Sequence, residues 1–231
     1  MKLLLVAAVF AALMQPPAAR IQQRTFQPPE GSTLPYGRSI PGDYDPGRPR
    51  PLILALHPGG EKVPFYGAQF MRQVALPGLG ALNAIMIAPD CPTRSWSDPV
   101  SEKAVMALVD NVLSEYAVDR RRILVVGFSM GGRGTWFMSS HHADLFTAAI
   151  VMAGATGEPL EGLGKMPTYI IHSKEDQVVP FGQAEQRAAA LERMGRPVRF
   201  EALEALGHFE MGGYVPALAR AGGWVAERWQ K

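Results

Sequence analysis

The stretch Arg121-Arg122-Ile123-Leu124-Val125-Val126-Gly127-Phe128-Ser129-Met130-Gly131-Gly132 decides the fold. Its first half is continuously apolar and rich in β-branched residues, the pattern of a strand buried on both faces. Its second half sets one serine among glycines, and the segment beyond reads as a helix. Either the glycines make a tight turn and nothing more, or they bend the backbone sharply enough to hold Ser129 out as a nucleophile. Strand, Gly-x-Ser-x-Gly, helix is the sequence form of a nucleophile elbow. The positions two before and two after the serine must then be small, because neighbouring chain would collide with a side chain there. Two phosphate-binding readings of the same glycines fail. A P-loop needs Lys and then Ser or Thr after its last glycine, whereas Gly132 is followed by Arg133 and Gly134. The dinucleotide pattern G-x-G-x-x-G is absent from this turn.

Outward from the elbow the same rhythm recurs. Residues 51–57 (PLILALH), 83–90 (NAIMIAPD), 146–154 (FTAAIVMAG), 167–173 (PTYIIHS) and 197–203 (PVRFEAL) read as further strands. Between residues 20 and 50, RTFQPP and LPYGRSIP are weak edge strands. Residues 101–117 read as a helix capped by Ser101, with Val105, Leu108, Val109 and Val112 at helical spacing. Residues 182–195 read as a second, ended by Gly195, and 215–229 as a third. Strands alternating with helices predict an α/β fold: a three-layer α/β/α, doubly wound, mostly parallel sheet. Only the thirteen residues ATGEPLEGLGKMP (155–167) separate two of its strands, too few for a large cap domain, so the site should lie open.

Composition narrows the partners. A chain of 231 residues with 47% hydrophobic residues suits one domain with a sizeable core. The formal net charge is only +2, which argues against nucleic acid or an anionic membrane surface. Lys2, the apolar run Leu3–Met14 and the small residues Ala18 and Ala19 fit a signal peptide over residues 1–19, leaving 20–231 as a single domain. The run is short for a membrane span, so no stable membrane insertion is expected after cleavage, and the expected location is secreted or periplasmic. Cys91 is the sole cysteine, which excludes an internal disulfide.

A serine hydroxyl needs a base to take its proton. Of the five histidines, His141 and His142 fall where the helix after the serine should end, and His172 precedes the expected acid. His57 follows the first buried strand and more naturally braces the loop there. His208, in LGHFEM, follows the last strand, which gives the chain order serine, acid, histidine. The acid should leave the strand between them, where HSKEDQVVP offers Glu175 and Asp176; Asp176 is preferred. An oxyanion hole would take one donor from the N–H of Met130 and a second from the loop His57-Pro58-Gly59-Gly60-Glu61. Pro58 has no N–H, so the donor is Gly59, with Gly60 as the alternative. Trp96, in CPTRSWSDP, either stacks on a sugar or phenolic ring or covers the core.

These residues resemble the α/β-hydrolase superfamily, and more closely the bacterial predicted-peptidase and phospholipase/carboxylesterase-type serine esterases related to feruloyl and polyhydroxybutyrate esterases. The resemblance runs from Leu34 to His208. It is carried by LPYGRSIPGDYDPGRPRPLILALHPGGE, by YAVDRRRILVVGFSMGGRGTW and by HSKEDQVVP, which is similar to an acid loop H-G-x-x-D-x-x-V-P. Pro58 and Ser173 stand where the family has glycines. A serine in place of cysteine sets the chain apart from the otherwise similar dienelactone hydrolases. The resemblance implies a carboxylic ester hydrolase with a Ser129-Asp176-His208 triad and no cofactor or metal. Its substrate would be a small-molecule ester or one linked to polysaccharide or lipid. A serine peptidase of prolyl-oligopeptidase type and a non-catalytic binding protein of the same fold are the alternatives.

Overall fold

Runs of Val, Ile and Leu bounded by Gly, Pro and Asp have both faces to bury, and in a parallel sheet helices cover both. The computed structural model describes residues 20–61, 63–155 and 157–230; the signal-peptide reading of residues 1–19 lies outside them. The strands are β1 (Arg20–Phe26), β2 (Leu34–Ile40), β3 (Arg50–Leu56), β4 (Ile85–Pro89), β5 (Val118–Phe128), β6 (Ala148–Met152), β7 (Thr168–Ser173) and β8 (Val198–Leu203). They form one sheet in the order β1-β2-β4-β3-β5-β6-β7-β8. The two N-terminal pairings are antiparallel and all the others are parallel. The six strands expected from the apolar runs and the two weak edge strands are thus all present.

Period-two alternation sorts the strand side chains onto two faces. Ile53, Met86, Leu124, Val126, Ile150 and Ile171 face one way. They pack against the helical run that starts at Tyr66 and against α6 (Val215–Trp229), the last of the helices. Leu52, Leu54, Ile87, Ile123, Val125 and Ala149 face the other way. They meet α3 (Pro99–Glu115) and α4 (Met130–His141). Val151 and Ile170 share that second side with α5 (Phe181–Arg193) and Trp136.

Two local differences from the sequence reading, and one agreement, have physical causes. The helical run opens with α1 (Tyr66–Phe70), passes through one π-helical turn (Met71–Ala75) into α2 (Leu76–Leu79), and closes in a 3-10 turn (Gly80–Leu82). Pro77, Gly78 and Gly80 mask it in the sequence, and tertiary burial of Phe70, Met71, Val74 and Leu79 overrides their low helix propensity. The cap of α3 is Asp98 and not Ser101: the Asp98 carboxylate accepts the Val100 N–H at 2.9 Å, and Pro99 opens the helix. Ser101 is instead fully buried, its hydroxyl 2.9 Å from that of Thr93. Gly195 does end α5, at φ +66°, with the Arg196 N–H bonded to Leu191 O and the Gly195 N–H to Glu192 O, a Schellman closure.

Asp98→Ala is therefore expected to lower the unfolding free energy by about 1 kcal/mol, read as a lower urea midpoint at unchanged slope. An unchanged midpoint would mean that α3 does not depend on this cap.

Candidate active site

Every parallel strand delivers its C-terminal end to the same rim of the sheet, and loops leaving that rim meet over its centre. Between β5 and α4, Ser129 adopts φ 55°, ψ −113°, a backbone conformation unusual for a side-chain-bearing residue. Its N–H donates to Met152 O at 2.9 Å, and its carbonyl accepts the Arg133 N–H at 3.0 Å. The flanking glycines are forced by contact. A Cβ added to Gly127 would stand 2.2 Å from Gly131 O, and one added to Gly131 would stand 1.9 Å from Leu56 O. The helix sits directly against the ends of β3 and β5, and only hydrogen fits between.

The structure brings the three distant side chains together. His208 Nε2 lies 2.8 Å from Ser129 Oγ, and His208 Nδ1 lies 2.7 Å from Asp176 Oδ2. Asp176 Oδ1 accepts the N–H groups of Val178 and Val179 at 2.9 and 2.8 Å. Burial opposes ionisation of Asp176. The hydrogen bond to His208 and those from Val179 and Val178 outweigh it, holding the carboxyl below the usual carboxylate range. The acid and histidine loops are tied to each other. Ser173 Oγ accepts the N–H groups of Leu206 (3.2 Å) and Glu175 (3.3 Å), and Lys174 donates its N–H to Leu203 O. The departure from glycine at position 173 thus supplies a cross-brace. Glu175 is exposed on the same loop.

On the other side of the elbow, Gly59 lies against Met130: a Cβ on Gly59 would be 3.6 Å from Met130 Cβ. His57 is buried and braced from both ring nitrogens. Nδ1 is 2.6 Å from Pro58 O, so it carries the proton, and Nε2 accepts the Cys91 N–H at 3.0 Å. Burial lowers its pKa to about 4, against a weaker opposing effect of the Pro58 carbonyl. Trp96 is 1% exposed and donates from Nε1 to His57 O at 3.0 Å, so it supports the loop from inside and offers no face to a ligand. His142 closes α4 beside Glu102, at 2.9 Å, and His141 lies near Glu158.

A cleft of about 660 Å³ opens beside Met130, between the loops that follow β3 and β4. Gly59, Gly60, Tyr66, Asp90, Thr93 and Arg94 are among its lining residues. The Asp90 carboxylate accepts the N–H groups of Phe65 and Gly67, which anchors the start of α1 to the end of β4. The sequence reading assigned Asp90 no role, and its position at a strand's C-terminal end was the available signal.

A serine elbow at a central strand, with acid and histidine loops after the last two strands, defines the α/β-hydrolase fold. A solved structure of a thermostable esterase shares it at TM-score 0.76 and 27% identity, over 90% of this chain and 62% of that one. The chain belongs to the dienelactone hydrolase family, whose model matches residues 92–209. That match corrects the separation drawn above from serine against cysteine: the matched span contains positions 129, 176 and 208 whichever nucleophile fills the first. The chain is 29% identical over 159 residues to a probable feruloyl esterase C of Aspergillus niger, aligning 63% of this chain. It is 31% identical over 141 residues to the bifunctional acetylxylan esterase/xylanase XynS20E of Neocallimastix patriciarum, covering 58% of this chain and 20% of that one. The alignment spans 56% of the feruloyl esterase's length.

Two outcomes follow from this geometry. Gly131→Ala should abolish the native elbow, leaving little soluble folded protein, because the clash is with backbone and cannot be relieved by a rotamer change. His57 is neutral when folded but gains a proton in the unfolded chain below pH 6.5. Its contribution is therefore present above pH 6.5 and is lost as pH falls toward 4, by up to about 3 kcal/mol. Thermal midpoints measured across that window should fall less steeply in His57→Gln; identical slopes would remove His57 from the acid sensitivity.

Proposed function

We propose that this chain is a serine hydrolase of carboxylic esters that works through an acyl-enzyme. The observation that carries the reading is the unbroken hydrogen-bonded line from Ser129 Oγ through His208 to Asp176, at 2.8 and 2.7 Å. Ser129 attacks the ester carbonyl while His208 Nε2 takes the hydroxyl proton. The N–H groups of Met130 and Gly59 receive the developing oxyanion, and Asp176 stabilises the imidazolium. His208 returns the proton to the departing alcohol. It then activates a water that releases the acid and frees the serine.

Strand order supports one assignment of the two halves of the ester. The leaving oxygen must approach His208, which arrives from the β7–β8 side of Ser129. The acyl group then points the opposite way, over β3 and β4, into the cleft beside Met130. The alcohol side is open. Phe209, next to the histidine, is 84% exposed, and among the described residues a 3-10 turn (Leu160–Leu163) is the only helical piece between β6 and β7. Such a site suits a bulky alcohol, including one attached to a polysaccharide or lipid, with an acyl group no larger than the cleft. The similarity to a probable feruloyl esterase and to an acetylxylan esterase supports that range. No helix among the described residues is long and apolar enough to cross a membrane. Export through a cleaved segment at residues 1–19 completes the proposal; a similar chain of Arthroderma benhamiae is described as secreted.

The test is pre-steady-state release of nitrophenol from a p-nitrophenyl ester. Wild type should show a burst equal to the enzyme concentration. Ser129→Ala should lose the burst, with kcat lower by about 10⁴ or more. Equal slow release from both would end the proposal. Among substrates, feruloyl and acetyl esters should exceed long-chain acyl esters and peptides in kcat/KM.

A further inference from the structure

Asp176 is touched by two histidines, and only one of them lies in the proton relay. His172, the next-to-last residue of β7, is fully buried. Its Nε2 lies 2.9 Å from Val179 O and 3.4 Å from Asp176 Oδ2. A carbonyl oxygen can only accept, so Nε2 must carry the hydrogen. That hydrogen goes to the carbonyl, and the Asp176 carboxylate oxygen stands beside the same nitrogen at 3.4 Å. Among the described residues Nδ1 has no hydrogen-bond partner, and it is buried in the protein. A stranded ring nitrogen costs stability, and an apolar ring of the same shape would avoid that cost. Retaining imidazole makes sense only if its other nitrogen is in use.

We propose that His172 is a positioning residue for the catalytic carboxylate: as a neutral Nε2–H donor it fixes Asp176 Oδ2 toward His208 while closing the acid loop through Val179. The proposal rests on the Ser129-His208-Asp176 reading above. Its physical content lies in the protonation state of the ring. Burial lowers the pKa of His172 against the pull of the Val179 carbonyl and of Asp176, and the nearby His208 lowers it further. A cationic His172 would compete with His208 for the charge of Asp176. A neutral one holds the carboxylate and leaves its charge to the imidazolium formed during attack. The titratable groups acting on this site are Asp176, His208 and Tyr214; Tyr214 is kept protonated by burial and by Asp176, its pKa raised to about 12. Phe181 packs its ring near-perpendicular to His172 from α5 and adds no charge.

The decisive measurement uses the wild-type protein. Nitrogen-15 NMR of its histidines, titrated from pH 5 to 9, should show one ring that stays neutral with its proton on Nε2 throughout. A His172 ring that titrates in this range, or carries its proton on Nδ1, overturns the proposal whether or not the protein hydrolyses esters. Variants give the functional readout. His172→Phe should lower kcat on a p-nitrophenyl ester by about tenfold, the weight of one weak hydrogen bond to a charged group, with KM changed less than twofold. The acid limb of its kcat/KM profile should move to higher pH, because Asp176 then exerts its full charge on His208. His172→Gln, which can present an amide N–H, should recover most of kcat and restore the limb. Unchanged kcat and pH limb in His172→Phe would overturn the proposal. So would equal losses in both variants that merely track their thermal midpoints. Failure of Ser129→Ala to lose activity would strike the ester-hydrolase reading instead and leave the ring's tautomer as a separate result.

Discussion

The close approach of α4 to the ends of β3 and β5 is the constraint on which the site depends. Ser129 keeps an unfavourable backbone conformation because the helix behind it has no room to relax. The helix fits because hydrogen, and nothing larger, separates Gly131 from Leu56 O and Gly127 from Gly131 O. The same approach sets the start of α4 beside the loop after β3, where Gly59 meets the Met130 side chain. Strain at one residue and proximity of two loops are therefore consequences of a single packing contact.

Much of this was legible in the sequence because it is local. A buried strand, a small-x-Ser-x-small turn and a helix demand particular residues at fixed spacing, and the phosphate-binding readings of those glycines fail. Asp176 and His208 were legible because parallel topology fixes which loops reach the rim. What stayed hidden depended on partners far away in the chain. Trp96 on a rim loop could stack on a ligand or cover the core, and the choice between them is made by a carbonyl that only the fold brings to its indole N–H. Ser101 and Asp98 both suit a helix start, and burial beside Thr93 decided between them. The helical run from Tyr66 to Leu82 carries proline and glycine that signal a loop, and it is the sheet face it covers that makes it helical.

His172 was set aside in the sequence because it comes before the acid, the wrong place for a base. Chain order excludes it from the relay but says nothing about the carboxylate's far side. A loop of a few residues folds back so that the end of β7 meets Val179 and Asp176 together. Ser173, a departure from the family pattern, holds that loop to the one bearing His208. The acid's surroundings are thus built from its own strand, while the nucleophile's are built from its neighbours.

The two ends of the relay rest on very different ground. Ser129 stands over the centre of the sheet, with strands paired on both sides. His208 hangs from β8, which among the described residues has a neighbour on one side only and side chains that are largely half-exposed. Margins of a sheet open more readily than its middle. His208 can therefore be drawn away from Ser129 by local fraying while the hydrophobic layers stay closed, so that on the proposed mechanism heat would silence the chemistry before it melts the molecule.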